Sequence, residues 1–179
     1  MFRRHSLALR LLPPLLASTA LLVATRTAHA KSGTAIGLDW DYTSGIEESN
    51  VSGGTGFKVR LGYKLDLKVL QLTPEIGGGY HAFTGDAGAK LSQGVIGGRV
   101  SFLKVLEPGV YAHLGYGHLA SSIGEGRSGA TADAGVTLDL TILPLVDLGI
   151  HGGYVGLLKS EDRPAFDSYV LGLHGALIF

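Results

Sequence analysis

Apolar and polar residues alternate along most of this chain, and that alternation defines the elements it predicts. A strand turns successive side chains to opposite faces, so a period of two marks a segment with one apolar and one polar surface. The clearest case is the C-terminal run Tyr169–Phe179. Tyr169, Leu171, Leu173, Gly175, Leu177 and Phe179 share one face, and Ser168, Val170, Gly172, His174, Ala176 and Ile178 share the other. Seven earlier strands are predicted at about Thr34–Ser44, Gly56–Leu67, Leu70–Phe83, Leu91–Leu103, Pro108–His118, Ala130–Leu143 and Val146–Gly156. In the second of these, Phe57, Val59, Leu61, Tyr63 and Leu65 oppose Lys58, Arg60, Lys64 and Asp66.

The connections alternate in kind. Short, largely apolar turns are centred near Lys68, Val105 and Pro144, whereas Gly45–Thr55, Thr84–Lys90, Leu119–Gly129 and Leu157–Asp167 are longer and polar. Short turns on one side and longer loops on the other are the pattern of an outer-membrane barrel. An even number of strands puts both termini on the short-turn, periplasmic side.

An apolar face on each strand also suits a soluble lipocalin-like barrel or a sandwich, with that face turned inward. Three features favour lipid on the apolar side. No Asp, Glu, Lys or Arg stands at the centre of any apolar face. The aromatics fall at strand ends: Trp40, Tyr42, Phe57, Tyr80, Tyr116, Tyr154 and Tyr169 toward the long loops, and Tyr63, Phe102 and Phe179 toward the short turns. Two such girdles are expected of amphipathic rings at two bilayer interfaces. The polar face is also rich in glycine, including Gly37, Gly97, Gly135 and Gly153. Inside a narrow barrel, small residues make room for large charged ones.

The beginning of the chain agrees. Arg3, Arg4 and His5 precede an apolar stretch from Leu11 to Ala24, and Ala28-His29-Ala30 follows. This is the layout of a secretory signal peptide, with cleavage after Ala30. Pro13-Pro14 and Arg26 interrupt the stretch, which leaves too little to span as a helix. Arg3-Arg4 also faintly suggests a twin-arginine signal, a route for folded cargo that suits a barrel precursor poorly. The domains are therefore 1–30, a signal peptide, and 31–179, a single β-barrel domain. The whole chain balances 15 basic against 15 acidic side chains. Loss of Arg3, Arg4, Arg10 and Arg26 with the leader makes the remainder acidic, which gives no reason to expect a nucleic-acid partner. With no cysteine, disulfides and thiolate chemistry are excluded.

These residues resemble the small eight-stranded outer-membrane β-barrel family, of the OmpX type and the OmpA-type membrane domain. The resemblance runs over residues 31–179 and rests on the strand pattern and the terminal Phe179. It implies an all-β fold, an eight-stranded antiparallel up-and-down transmembrane barrel after a cleaved signal peptide. It also implies contact with outer-membrane lipid, a monomer, and insertion by the assembly machinery through the C-terminal strand. One position departs from the family's pattern: His174 stands where the assembly signal often has Gly, and Gly175 follows. The chain stops at Phe179, so no peptidoglycan-binding domain is expected after it.

Charge on the polar faces gives the candidate site. Lys58, Arg60, Lys64 and Arg99 would share the lumen with Glu75, Glu107, Asp133 and Asp139, as well as Asp39, Asp41, Asp66 and Asp147. Buried charges need partners, so a plugged lumen cross-linked by ion pairs is predicted. Near the short turns, Lys64, Glu75, Arg99 and Glu107 are expected to form one network. His113, His151, His174 and Asp39 stand at similar depths by residue count and are a weak candidate metal set. The simpler expectation is that these histidines bond carboxylates, His174 pairing with Asp39. No cofactor motif is present.

The function read from this pattern is an integral outer-membrane barrel with a closed, charged lumen and a structural or surface-interaction role. Its alternatives are a narrow pore for small solutes, a lipid-modifying outer-membrane enzyme, and a soluble periplasmic lipocalin-like binder. The enzyme alternative rests on His118, Ser121, Ser122 and Glu125, which lack the His-x-Ser spacing of lipid A deacylases because Ala120 stands where Ser would. The loop tips Glu47-Glu48-Ser49-Asn50 and Lys159-Ser160-Glu161-Asp162-Arg163 are candidate contacts for a surface partner.

Overall fold

A computed structural model describes residues 32–45, 52–84, 88–121, 126–143, 145–158 and 165–179. The proposed leader, residues 1–30, and the loop tips carrying Glu47–Asn50 and Lys159–Arg163 lie outside the described residues. Eight strands follow in order: β1 (Gly33–Gly45), β2 (Ser52–Asp66), β3 (Leu70–Thr84), β4 (Lys90–Phe102), β5 (Leu106–Ala120), β6 (Arg127–Leu143), β7 (Val146–Leu157) and β8 (Phe166–Ile178). Each pairs antiparallel with its chain neighbour, and β1 pairs with β8, so the sheet closes as an up-and-down barrel. Backbone bonds between Thr34 and Phe179 finish the seam at 2.8 and 3.0 Å.

Several strands run further than the alternation predicts. β5 begins at Leu106 and ends at Ala120, β6 begins at Arg127, and β8 begins at Phe166. At β6 and β8 the added residues include Ser128, Gly129, Asp167 and Ser168, which carry no hydrophobic period. The ladder continues through them because backbone amides pair whatever side chain they bear. The short turns are held by local chemistry. Lys68 and Leu103 take φ of 73° and 69°, a left-handed conformation that disfavours a Cβ. At the first turn, the Asp66 carboxylate accepts a hydrogen bond from the Lys68 amide at 2.9 Å and an ion pair from Lys104 at 3.0 Å, tying the two tight turns together.

The barrel is inverted relative to a soluble one. Leu38, Ile96, Leu114 and Leu171 are 58, 65, 66 and 65% exposed on the outer surface, while Glu107 and Asp133 are each 1% exposed inside. A lipocalin-like barrel requires the opposite arrangement, so the soluble alternative is not supported. Tyr111 also points inward, and glycine makes its place: a Cβ on Gly135 or Gly153 would lie 2.7 or 2.6 Å from the Tyr111 hydroxyl. The two glycines face each other across β6 and β7.

The interior is not polar throughout. Toward the long loops Phe83, Leu91, Leu119, Val155, Leu157, Phe166 and Val170 form one buried apolar cluster. The Phe83 and Phe166 rings meet edge to face, with centroids 5.0 Å apart. This apolar plug stands above the charges and was not expected from the strand pattern.

Candidate functional site

The lumen charges fall into linked groups. At the short-turn end, Lys64 Nζ reaches Glu107 at 3.1 Å and Asp147 at 2.8 Å. Thr141 Oγ1 lies 3.0 and 2.6 Å from the same two carboxylates and donates its one proton between them, and Gln71 donates to Glu107 at 3.2 Å. The network expected from Lys64, Glu75, Arg99 and Glu107 divides here. Lys64 and Glu107 come together, whereas Glu75 and Arg99 belong to the next groups along the barrel.

Arg60 organises the middle. Its Nε and Nη2 donate to the two oxygens of Asp39 at 2.8 and 2.6 Å, and its Nη1 donates to Glu75 at 2.7 Å. A planar guanidinium suits this forked geometry. Glu75 also contacts His113 Nε2 at 2.9 Å, while His113 Nδ1 lies 3.3 Å from Asp133. Lys58 pairs with the same Asp133 oxygen, Oδ2. Arg99 stands 3.3 Å from Asp139, which also contacts His174.

A chain of imidazoles and carboxylates continues from there. His174 Nδ1 lies 3.2 Å from His151 Nδ1, His151 Nε2 lies 2.6 Å from Asp41, and Asp41 lies 3.0 Å from His81. His81 was not singled out from the sequence, although it shares the inward parity of Glu75 on β3. Asp41 and Asp147 likewise join the network from inward positions.

The weak metal set does not converge. Asp39 and His174 are cross-strand partners, yet their side chains go to Arg60 and Asp139. His113 is held by Glu75 and Asp133. Among the described residues, no group of three or more His, Asp or Glu side chains is arranged to hold an ion. The cause is competition: each carboxylate is drawn to a lysine, arginine or histidine on a neighbouring wall.

Four lysines and arginines, Lys58, Arg60, Lys64 and Arg99, face the buried carboxylates Asp39, Asp41, Glu75, Glu107, Asp133, Asp139 and Asp147. A dry interior disfavours unmatched charge. His81, His113, His151 and His174 each contact a carboxylate as well. Two cavities among these groups have volumes of about 30 and 10 Å³, room for isolated waters rather than a file of them.

The outer surface carries the predicted aromatics. Trp40, Tyr42, Phe57, Tyr116 and Tyr169 are exposed toward the long loops, with Tyr80 and Tyr154 half-buried beside them. Tyr63, Phe102 and Phe179 are exposed toward the short turns. His118 also faces outward. Its hydroxyl partner is Ser128 on β6, with Nδ1 and Oγ 2.9 Å apart. Of the residues considered beside it, Ser122 and Glu125 lie outside the described residues.

No family model matches the sequence, and no curated protein matches it either. Solved structures do match the fold. Neisserial surface protein A superposes with a TM-score of 0.63 at 15% identity, covering 83% of this chain and 98% of that one. The outer-membrane enzyme PagL gives 0.56 at 12% identity, covering 77% and 97%. The N-terminal β-barrel domain of Pseudomonas aeruginosa OprF gives 0.51 at 13% identity, covering 83% and 100%. The chain thus has the fold of the small eight-stranded outer-membrane β-barrels.

Proposed function

We propose that this protein is an integral outer-membrane barrel with a lumen closed by ion pairs, serving a structural or surface-interaction role. The observation that carries the reading is the inversion of the fold: an apolar outer belt between two aromatic girdles encloses paired charges. Such a belt is stable only against lipid. Residues 1–30 act as a cleaved leader, and the C-terminal strand is the part recognised by the assembly machinery. The barrel works as a monomer, because closure leaves no free sheet edge to pair with another copy.

The test is in two stages. Detergent-refolded protein is expected to show heat-modifiable electrophoretic mobility, and its absence together with the absence of a β-sheet signal in micelles removes the membrane reading. In planar bilayers the refolded protein is expected to be silent. Steady single-channel openings at neutral pH would instead identify a narrow pore.

The enzyme reading has one observation in its favour. His118 and Ser128 form a base–hydroxyl pair on the lipid-facing surface, where a nucleophile could meet an acyl ester. Lipid A altered in cells expressing the protein, with the change lost on His118→Ala, would establish it.

A further inference from the structure

The outer faces of β3 to β5 carry a notch that the barrel's own packing does not require. Gly78 and Gly94 are cross-strand partners, and Gly94 is in turn opposite Tyr116. All three face outward. A Cβ on Gly94 would meet nothing within 4 Å, and one on Gly78 would meet only the Gln93 carbonyl, at 3.6 Å. Neither glycine has positive φ. A strand loses stability by carrying glycine, and here no neighbouring side chain fills the space. What remains is an open groove of about 430 Å³ walled by Phe57, Tyr80 and Tyr116. The Phe57 and Tyr80 rings lean together with centroids 5.9 Å apart.

One rim of the groove is polar. Ser92, His118 and Ser128 are successive cross-strand partners on β4, β5 and β6, all exposed. Lys90 stands two residues beyond Ser92 on the same outward face, also exposed. Nearer the middle of the barrel, the same strands present Ile96, Leu114 and Val136 outward. The row therefore sits where apolar belt gives way to polar loop, the level of lipid head groups.

We infer that this groove binds one acyl chain of an anionic, phosphate-bearing lipid of the leaflet on the long-loop side. This rests on the reading that the barrel spans a bilayer. The chain lies in the glycine notch against the aromatic walls. Its head group meets Ser92 and His118, which donate hydrogen bonds to phosphate or ester oxygens, while Lys90 supplies the opposite charge. A flexible linear chain suits a shallow channel between rings, and the cationic rim selects an anionic head over a zwitterionic one.

Tyr116→Trp in a Trp40→Phe background puts a fluorescent reporter on the groove wall. The protein is refolded into vesicles of equal parts phosphatidylcholine and phosphatidylglycerol, with bromine on the acyl chains of one lipid at a time. Brominated phosphatidylglycerol is expected to quench the groove indole about twofold more than brominated phosphatidylcholine. Gly94→Leu, which fills the notch, is expected to abolish the difference, and Lys90→Gln to reduce it. Gly78→Leu, from the neighbouring strand, gives the same reading if Gly94→Leu lowers the folded yield. Equal quenching by the two lipids, or a preference that survives both leucines, overturns the inference. Native Trp40, on β1 outside the groove, is the separate control. If neither brominated lipid quenches it, the bilayer reading has failed, and not the groove alone.

Discussion

Removal of Arg60 is the most direct test of the plugged lumen. Arg60 is 5% exposed and gives Asp39 both oxygens' hydrogen bonds and Glu75 a third. Arg60→Met keeps much of the side-chain volume and deletes the charge. Glu75 retains His113, but Asp39 makes no other ion pair among the described residues. Leaving a buried charge uncompensated costs about 3–5 kcal/mol, and the upper part of that range is expected because one of the two acids is fully orphaned. The assay is urea unfolding in phospholipid vesicles, followed by the fluorescence of Trp40. It is the only tryptophan, and it is 64% exposed on the belt, so it leaves lipid on unfolding. Asp39→Asn added to Arg60→Met should recover more than about 1 kcal/mol of the loss, since the neutral amide no longer carries an unmatched charge. A loss below about 1 kcal/mol for Arg60→Met would refute the reasoning, because it would mean that water already screens the pair. Strictly additive effects in the double variant would refute it as well.

The remaining predictions contrast positions within the same barrel. Lys64→Ala strips Glu107 and Asp147 of their shared lysine and should cost about 3–5 kcal/mol. Lys104→Ala, whose side chain is 38% exposed in its pair with Asp66, should cost under about 1 kcal/mol in the same titration, and equal losses would contradict the burial argument. Phe166→Ala opens the apolar plug and should destabilise by about 3–5 kcal/mol; a change near zero would mean that the Phe83–Phe166 cluster is not packed. On the outer face, Ile96→Arg at mid-belt should cost about 2–4 kcal/mol in vesicles, and Val69→Arg at a turn close to nothing. If the two were alike, the belt would not be facing hydrocarbon.

The alternation along the chain determined the eight strands, their turns and the inward or outward sense of each side chain, because parity on a strand is a purely local property. From parity alone, Lys58, Arg60, Lys64, Arg99 and the acids opposite them could be assigned to one compartment. Local pattern says nothing about which wall of a closed barrel faces which. Asp39 and His174 are neighbours in register, yet the first binds Arg60 and the second Asp139, since barrel curvature and the reach of each side chain choose the partner. The same limit explains why Lys64 and Glu75 do not share a network. The apolar plug was hidden for another reason: Phe83, Leu91, Leu119 and Phe166 have the polar parity but sit at strand ends, where the alternation fades into loop. The lipid-facing notch needed three dimensions as well. Gly78 and Gly94 stand on different strands among many other glycines, and only the β3–β4 register sets them side by side beneath Tyr116. Along the chain, a residue's own neighbours decide which surface it serves. The partner it meets there is decided by closure of the sheet, which brings distant strands face to face across a space one side chain wide.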